Sequence, residues 1–245
     1  MQVIVIASEK MYHCLSPFMH LWRKHVGLDH ITYNIDLVVC GFSEVSFFSD
    51  QITRFHSLGK QSDWPAVRWS EKLIRILDEI AEEQFVLMLE DYWLVRDVDM
   101  RAVKMLFDYA AQFQNVLKID LTYDRLYING GSNFLFGANT HDSCGYLDLI
   151  KSPPGTPYQM SLWAGIWNRE QLKRVLVPGE TAQDIEINGT RRVTDDQLVL
   201  GTRQAPLLHG NIYQSRNNGA PVYKDAHWAI KPDDLEFMQK EGWIE

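Results

Sequence analysis

The chain alternates short, uninterrupted apolar runs with longer stretches of helical periodicity. Val3-Ile4-Val5-Ile6-Ala7 and Phe85-Val86-Leu87-Met88-Leu89 are continuous apolar runs, the pattern of strands covered on both faces, as in a parallel sheet. After the first run, Ser16-Pro17 opens a helix with Phe18, Leu21, Trp22 and Val26 on one face, stopped by Gly27. Ile31-Thr32-Tyr33-Asn34-Ile35 reads as a second strand, which gives a strand–helix–strand opening. Residues 41–65 are polar, with a third short strand expected at their start. Trp69, Leu73, Ile76, Leu77 and Ile80 recur at helical spacing and predict a helix over 69–82. Val98-Asp99 opens another helix, through about Gln114, and 116–121 reads as a strand.

Residues 122–160 hold Gly130-Gly131, Gly137, Gly145, Pro153-Pro154 and Pro157, which predicts a meander of short strands and loops. A strand or tight turn is expected over 160–167. Asn168 then caps a helix to Leu176, Pro178-Gly179 stops it, and 181–189 forms a short helix. Residues 205–223 alternate short apolar runs with Gly and Asn. The stretch 231–245 reads as a helix with Pro232 in its first turn beside Asp233-Asp234. No repeat or flexible linker interrupts the pattern. The expectation is one α/β domain over 1–245, a mixed sheet flanked by helices.

Composition narrows the function classes. At 245 residues, 46% hydrophobic and 23% charged, the chain is an ordinary globular protein rather than a disordered or fibrous one. A net charge of −8 disfavours a globally basic nucleic-acid binder. The charge is uneven: residues 1–150 carry 13 Lys+Arg against 20 Asp+Glu, whereas 151–231 carry 10 against 7. The mildly positive segment could face a phosphate-bearing ligand, or could be scattered surface charge. Three widely spaced cysteines, Cys14, Cys40 and Cys144, give neither a disulfide framework nor a zinc knuckle. With no apolar run of membrane-spanning length and no secretory leader pattern, a cytoplasmic location is expected.

Three features carry candidate chemistry. Glu90 and Asp91 directly follow an apolar strand, where open α/β sheets bind ligands; paired carboxylates there suit Mg²⁺ or Mn²⁺, or are solvated loop acids. Trp163 and Trp167 precede Pro178-Gly179-Glu180 and then Asp184 and Glu186. Such an arrangement places acids near a sugar-stacking surface, although both tryptophans read equally as core. His209 follows an apolar pair and precedes Gly210, so its ring reaches a cleft or serves the core. Ser8-Glu9-Lys10 after the first strand is a candidate nucleotide-contacting loop. The dinucleotide, P-loop, nucleophile-elbow and zincin motifs are absent.

Taken together, VIVIASEK, PFMHLWRKHVG, WSEKLIRILDEIAEEQFVLMLEDYWL and SLWAGIWNREQLKRVLVPGETAQDIE resemble a family of small bacterial and phage glycosyltransferases of the GT-A fold. The resemblance spans roughly residues 1–215 and is most specific over 69–94 and 161–186. It implies a Rossmann-like mixed sheet with a nucleotide-sugar-binding half (1–121), an acceptor-binding half (122–231) and a C-terminal helix (232–245). It also implies sugar transfer, inverting and metal-assisted, from a nucleotide-sugar to an acceptor hydroxyl. Glu90 and Asp91 match the family's acidic metal motif, here Glu-Asp instead of a spaced Asp-x-Asp, and His209 matches a late metal-binding histidine. Glu186, or else Asp184, matches the catalytic base. Ala7, Ser8, Glu9 and Lys10 match the nucleotide loop; Arg191, Arg192, Arg203 and Arg216 are candidates for a diphosphate clamp, and Trp163 and Trp167 for the acceptor site. The implied acceptor is a glycan or lipid-linked saccharide, with a hydroxymethylated base of phage DNA the lesser option. A glycoside hydrolase is the enzymatic rival, and a non-catalytic nucleotide- or carbohydrate-binding protein the alternative from another class.

Overall fold

The computed structural model describes residues 1–42, 53–124, 140–212 and 230–244, with the backbone of Tyr127–Ile128 and Asn133–Phe134. The expectations placed on Gly130-Gly131, Gly137, Arg216 and residues 213–223, and on a strand just after Gly41, lie outside the described residues. In chain order the strands are β1 (Gln2–Ile6), β2 (Asp36–Gly41), β3 (Thr53–Ser57), β4 (Gln84–Leu89), β5 (Tyr92–Leu94), β6 (Val116–Asp120), β7 (Tyr127–Ile128), β8 (Asn133–Phe134), β9 (Thr140–Cys144), β10 (Leu147–Lys151), β11 (Gly165–Asn168), β12 (Leu198–Thr202) and β13 (His209–Asn211). The helices are α1 (Leu15–His25), α2 (Asp29–Thr32), α3 (Trp69–Glu79), α4 (Met100–Gln112), α5 (Arg169–Val175), α6 (Ala182–Asp184), α7 (Thr190–Arg192) and α8 (Pro232–Lys240).

Nine strands form one mixed sheet in the order β3-β2-β1-β4-β11-β6-β12-β10-β9. β1 runs parallel to β2 and β4, and β2 to β3. β11 is antiparallel to both β4 and β6, while β12 is parallel to β6. The carboxyl ends of β1, β4, β6 and β12 therefore share one edge. The expected fold class, an α/β mixed sheet flanked by helices, is the one observed.

Alternate residues of one apolar strand serve opposite layers, which is why β1 and β4 read as continuous runs. Val3, Val5, Val86 and Met88 pack with α1 and α4 on one face. Ile4, Ile6, Phe85 and Leu87 pack with Leu73, Ile76 and Leu77 of α3 and Leu172 and Val175 of α5 on the other. Each such fully buried side chain is worth roughly 1.5–3 kcal/mol over exposure.

The second strand differs from the expectation. Residues 29–32 form a helical turn, Ile31 is 74% exposed, and the strand begins five residues later at Asp36. Local β-propensity at Ile31-Thr32-Tyr33 loses to the turn, which Thr32 Oγ1 supports by donating to the Leu28 carbonyl at 3.2 Å. Asn34, in the left-handed region at φ 47°, redirects the chain. Leu37-Val38-Val39-Cys40 then provides the apolar run that pairs with β1 from Gln2↔Asp36 onward.

Candidate functional site

β1 and β4 lie side by side and end together, with Ile6 opposite Leu89. Beyond them opens a cleft of ≈ 1030 Å³, the position at which open α/β sheets bind ligands. Its floor is Glu90 and Asp91, each 8% exposed. Ser8 joins the two strand ends: its backbone N–H donates to Glu90 Oε1 at 3.0 Å and its hydroxyl to the same oxygen at 3.3 Å. Burial, and next the neighbouring Asp91 charge, raise the Glu90 carboxyl above the usual range, although the Ser8 N–H and the more distant Lys72 charge oppose the shift.

One wall is aromatic. Trp64 and Trp69 line the cleft. Trp64 is pinned by donating Nε1–H to the Leu58 carbonyl at 3.0 Å, with Arg68 5.2 Å from its ring centroid. Gln61 clips two sides of the cleft together, since its Oε1 accepts from Glu9 N at 3.2 Å and its Nε2 donates to Trp64 O at 3.2 Å. Of the predicted nucleotide loop, Ser8, Glu9 and Lys10 line the cleft, whereas Ala7 is buried in the core and donates its N–H to Cys40 O at 2.9 Å.

A second group of acids gathers around Tyr92, which starts β5 just after Asp91. Burial first, then the charges of Asp91, Glu186, Asp124 and Glu90, push the Tyr92 phenol well up. Glu186 lies in a π-helical turn, Ile185–Gly189, a distortion frequent at functional sites. Its Oε1 accepts from Leu162 N at 2.8 Å, tying it to the segment that carries Trp163. Asp184 is occupied differently. Its carboxylate closes a capping box with Thr181, accepting from Thr181 N at 3.1 Å and Oγ1 at 2.7 Å. Asp184 thus serves as the cap at the start of α6.

Trp167 is 0% exposed, on β11 between β4 and β6; it is core and presents no face to a sugar. Trp163 is half-buried, its ring 5.2 Å from that of His209. His209 is 0% exposed and stacks on Tyr92 at 4.2 Å. Burial pushes its pKa down to about 3, against an opposing backbone contact with Gly210, so the ring is neutral; among the described residues neither ring nitrogen has a well-formed hydrogen bond. Among the described residues no three His, Cys, Asp or Glu side chains converge as a metal-ligand set. His209, held between Tyr92 and Trp163 on β13, does not complete one with Glu90 and Asp91. The acidic pair fits a divalent cation by charge; a three-ligand site with His209 does not fit.

The expected arginine clamp also differs. Arg192 grips Glu180 with Nη1–Oε1 at 2.9 Å and Nη2–Oε2 at 2.6 Å, and Arg191 is exposed on α7. Neither lines the cleft.

Sequence reasoning missed two lysines. Lys72 of α3 lines the cleft wall. Lys118 is fully buried in β6, paired with Asp120 and donating to the Ser161 carbonyl at 2.6 Å. Gly165 makes room for it: a Cβ there would lie 2.8 Å from Lys118 Cε and 3.1 Å from the Ile119 carbonyl. The signals were present. Lys72 stands three residues after Trp69 on the apolar stripe of α3, and Lys118 and Asp120 share one face of β6 at strand spacing.

No family model matches the chain, and no curated protein does. Among solved structures it is similar to residues 1–349 of TarS from S. aureus, at 9% identity and a TM-score of 0.47, covering 85% of this chain and 59% of that one. It is similar also to the galactosyltransferase LgtC, solved with donor and acceptor sugar analogs, at 9% identity and a TM-score of 0.40, covering 71% and 60%. A cytidylyltransferase from Leptospira borgpetersenii matches at 9% identity and a TM-score of 0.42, over 98% of this chain and 94% of that one. The chain thus spans about three fifths of the TarS 1–349 fragment and of LgtC. At such identity none of these carries its neighbour's chemistry over to this chain. No helix of the described residues is long and apolar enough to cross a membrane.

Proposed function

We propose that this protein is a glycosyltransferase that moves a sugar from a nucleotide-sugar donor to an acceptor hydroxyl. The observation that carries the reading is the cleft beyond β1 and β4, with buried Glu90 and Asp91 on its floor and Trp64 and Trp69 on its wall. A planar base suits the aromatic wall. The Ser8–Lys10 loop suits the ribose and phosphates, because it follows the strand whose end opens the cleft.

Glu90 and Asp91 would hold a divalent cation, Mn²⁺ or Mg²⁺, whose charge would offset that of the donor diphosphate. Glu186 is the base. In an inverting displacement the bond from the sugar C1 to the diphosphate oxygen breaks as the acceptor oxygen bonds to C1. The acceptor proton passes to the Glu186 carboxylate, and the nucleoside diphosphate leaves with the bonding pair. Trp163, half-buried beside His209, offers the acceptor surface. A glycan or lipid-linked saccharide is the favoured acceptor, and a hydroxymethylated DNA base the lesser one given the net charge of −8.

The test is a thermal-shift screen of UDP-, GDP-, CMP- and dTDP-sugars with and without Mn²⁺, followed by assay of donor turnover. Specific binding stabilises by RT ln(1 + [L]/Kd), about 2.7 kcal/mol at a hundredfold excess over Kd. A shift from one donor with turnover supports the transferase. A shift without turnover makes the protein a nucleotide-binding module, and no shift from any donor removes the reading.

A further inference from the structure

Among the described residues the basic side chains lining the cleft are Lys10, His13 and Lys72. Lys10 and His13 are exposed on the turn after β1, but Lys72 is only 5% exposed. Its ammonium lies 5.0 Å from the centroid of the Phe42 ring and 5.4 Å from that of Trp69. Ring faces attract a cation but supply no lone pair of the kind an N–H donor seeks. Among the described residues the Lys72 nitrogen has no hydrogen-bond acceptor, and it forms no ion pair with Glu90. Burial lowers its pKa, an effect the Glu90 charge only partly opposes. The stem is buried but the nitrogen keeps some contact with the open cleft, where a ligand can supply the acceptor that the protein does not.

We propose that Lys72 receives the anionic end of the cleft's ligand, its ammonium donating to a non-bridging phosphate oxygen while Phe42 and Trp69 hold it at the wall. The proposal rests on the nucleotide-sugar reading and deepens it. It puts the positive charge for the diphosphate on α3, beside the aromatic wall, instead of on the arginines of 191–216. The two rings serve as spacers: an ammonium seated on them stays available to the ligand and does not collapse onto the carboxylates of the floor.

The test measures binding by calorimetry to wild-type protein, Lys72→Met and Lys72→Arg, with UDP and GDP as probes and uridine and guanosine as their phosphate-free counterparts. Inorganic pyrophosphate is titrated alongside. Loss of one charge-assisted hydrogen bond should weaken the preferred diphosphate roughly 10- to 100-fold in Lys72→Met. The nucleoside should change by less than about twofold, with Lys72→Arg between the two for the diphosphate. Circular dichroism establishes that the variants are folded, and Lys72→Gln replaces Met if that variant is not. Equal weakening of nucleoside and diphosphate would assign Lys72 to the base or ribose and overturn the proposal; so would unchanged diphosphate affinity in a folded Lys72→Met. If wild-type protein binds pyrophosphate but no nucleotide, and Lys72→Met loses the pyrophosphate, Lys72 stands and the nucleotide-sugar reading falls. If wild-type protein binds none of the probes, both fall.

Discussion

Ser8 spends both of its donors on one oxygen of Glu90: the backbone N–H at 3.0 Å and the hydroxyl at 3.3 Å, across 82 residues of sequence. The contact fastens the end of β1 to the end of β4, where the cleft opens, and it orients one of two adjacent buried carboxylates. Ser8→Ala removes the hydroxyl donor and leaves the N–H. The expected cost is about 1 kcal/mol, read as a lower urea midpoint with an unchanged m-value. Donor affinity should fall as well, because the Glu90 carboxylate loses one of its two constraints. A Ser8→Ala protein with wild-type stability and donor affinity would show the contact to be incidental.

Asp91 tests the floor of the cleft more directly. Asp91→Asn keeps the size of the side chain and removes one charge. Most transfer should disappear while the thermal midpoint stays within a few degrees of wild type. The variant offers the cation one carboxylate instead of two, so it is expected to bind Mn²⁺ more weakly in calorimetric titration, even though Glu90 ionises more readily once the Asp91 charge is gone. Near-wild-type turnover of Asp91→Asn in the presence of Mn²⁺ would contradict a cation held by this pair.

The two tryptophans make an internal comparison. Trp167 is 0% exposed and touches both neighbouring strands through β11, whereas Trp163 is half-buried beside His209. Trp167→Ala should cost about 3–5 kcal/mol by cavity formation, seen in chemical denaturation. Trp163→Ala should cost less and should instead raise the acceptor KM or lower kcat. If both lose stability equally and the acceptor KM does not move, Trp163 belongs to the core too.

Much of the scaffold was legible because β1, β4 and α3 announce themselves by apolar pattern alone. Burial on both faces forces Val3–Ala7 and Phe85–Leu89 to be continuous, and burial on one face forces the stripe of Trp69, Leu73, Ile76 and Leu77. The second strand was misplaced because Ile31-Thr32-Tyr33 has local strand propensity, while pairing with β1 rewards Leu37–Cys40. The acids at the end of β4 were legible because charge begins where the apolar run ends, at the strand end beside the cleft, although both acids stay buried. Lys72 was not, because a lysine in a helix ordinarily reads as solvent-facing; only its register with Trp69 reveals it. Asp184 and Glu186 are two residues apart with similar chemistry, and it is their contacts that tell them apart: the Thr181 capping box for one, the Leu162 N–H for the other.

Acid should act first on the packing of α8 against α1. Lys24 Nζ donates to both Asp234 oxygens at 2.5 and 2.6 Å, and His20 lies 3.3 Å from Oδ1. Burial alone would raise the Asp234 pKa, but the Lys24 and His20 hydrogen bonds outweigh it and leave it lowered. A carboxyl whose folded pKa lies below its unfolded value, about 3.9, contributes stability that is present above the unfolded pKa. That contribution is lost as pH falls through the folded one. His20 also stacks on Phe237 at 4.5 Å and meets Trp243 edge-on at 6.1 Å, so loosening of α8 should shift Trp243 emission. Fluorescence should change below about pH 4, the change should vanish in Trp243→Phe, and Asp234→Asn should show it already at neutral pH. An Asp234→Asn protein with wild-type emission at pH 7 would mean that Phe237 and Trp243 hold α8 without the ion pair.

In the proposed transfer Glu186 takes the acceptor proton, and its test has a built-in control. Its carboxylate accepts from Leu162 N at 2.8 Å, which ties it to the tryptophan segment, and its charge is among those that raise the Tyr92 phenol. Glu186→Gln preserves size and can still accept from Leu162 N, but it cannot take a proton. Donor binding should survive, because the donor is held by other groups, while kcat falls by roughly 10²- to 10⁴-fold, the usual contribution of a general base. Asp184→Asn breaks the capping box and should cost about 1 kcal/mol of stability with kcat nearly unchanged. The two variants thus part along different axes, one in turnover and the other in denaturation midpoint. Normal turnover by Glu186→Gln would remove Glu186 as the base, and a dead Asp184→Asn that remains folded would move the base to the cap.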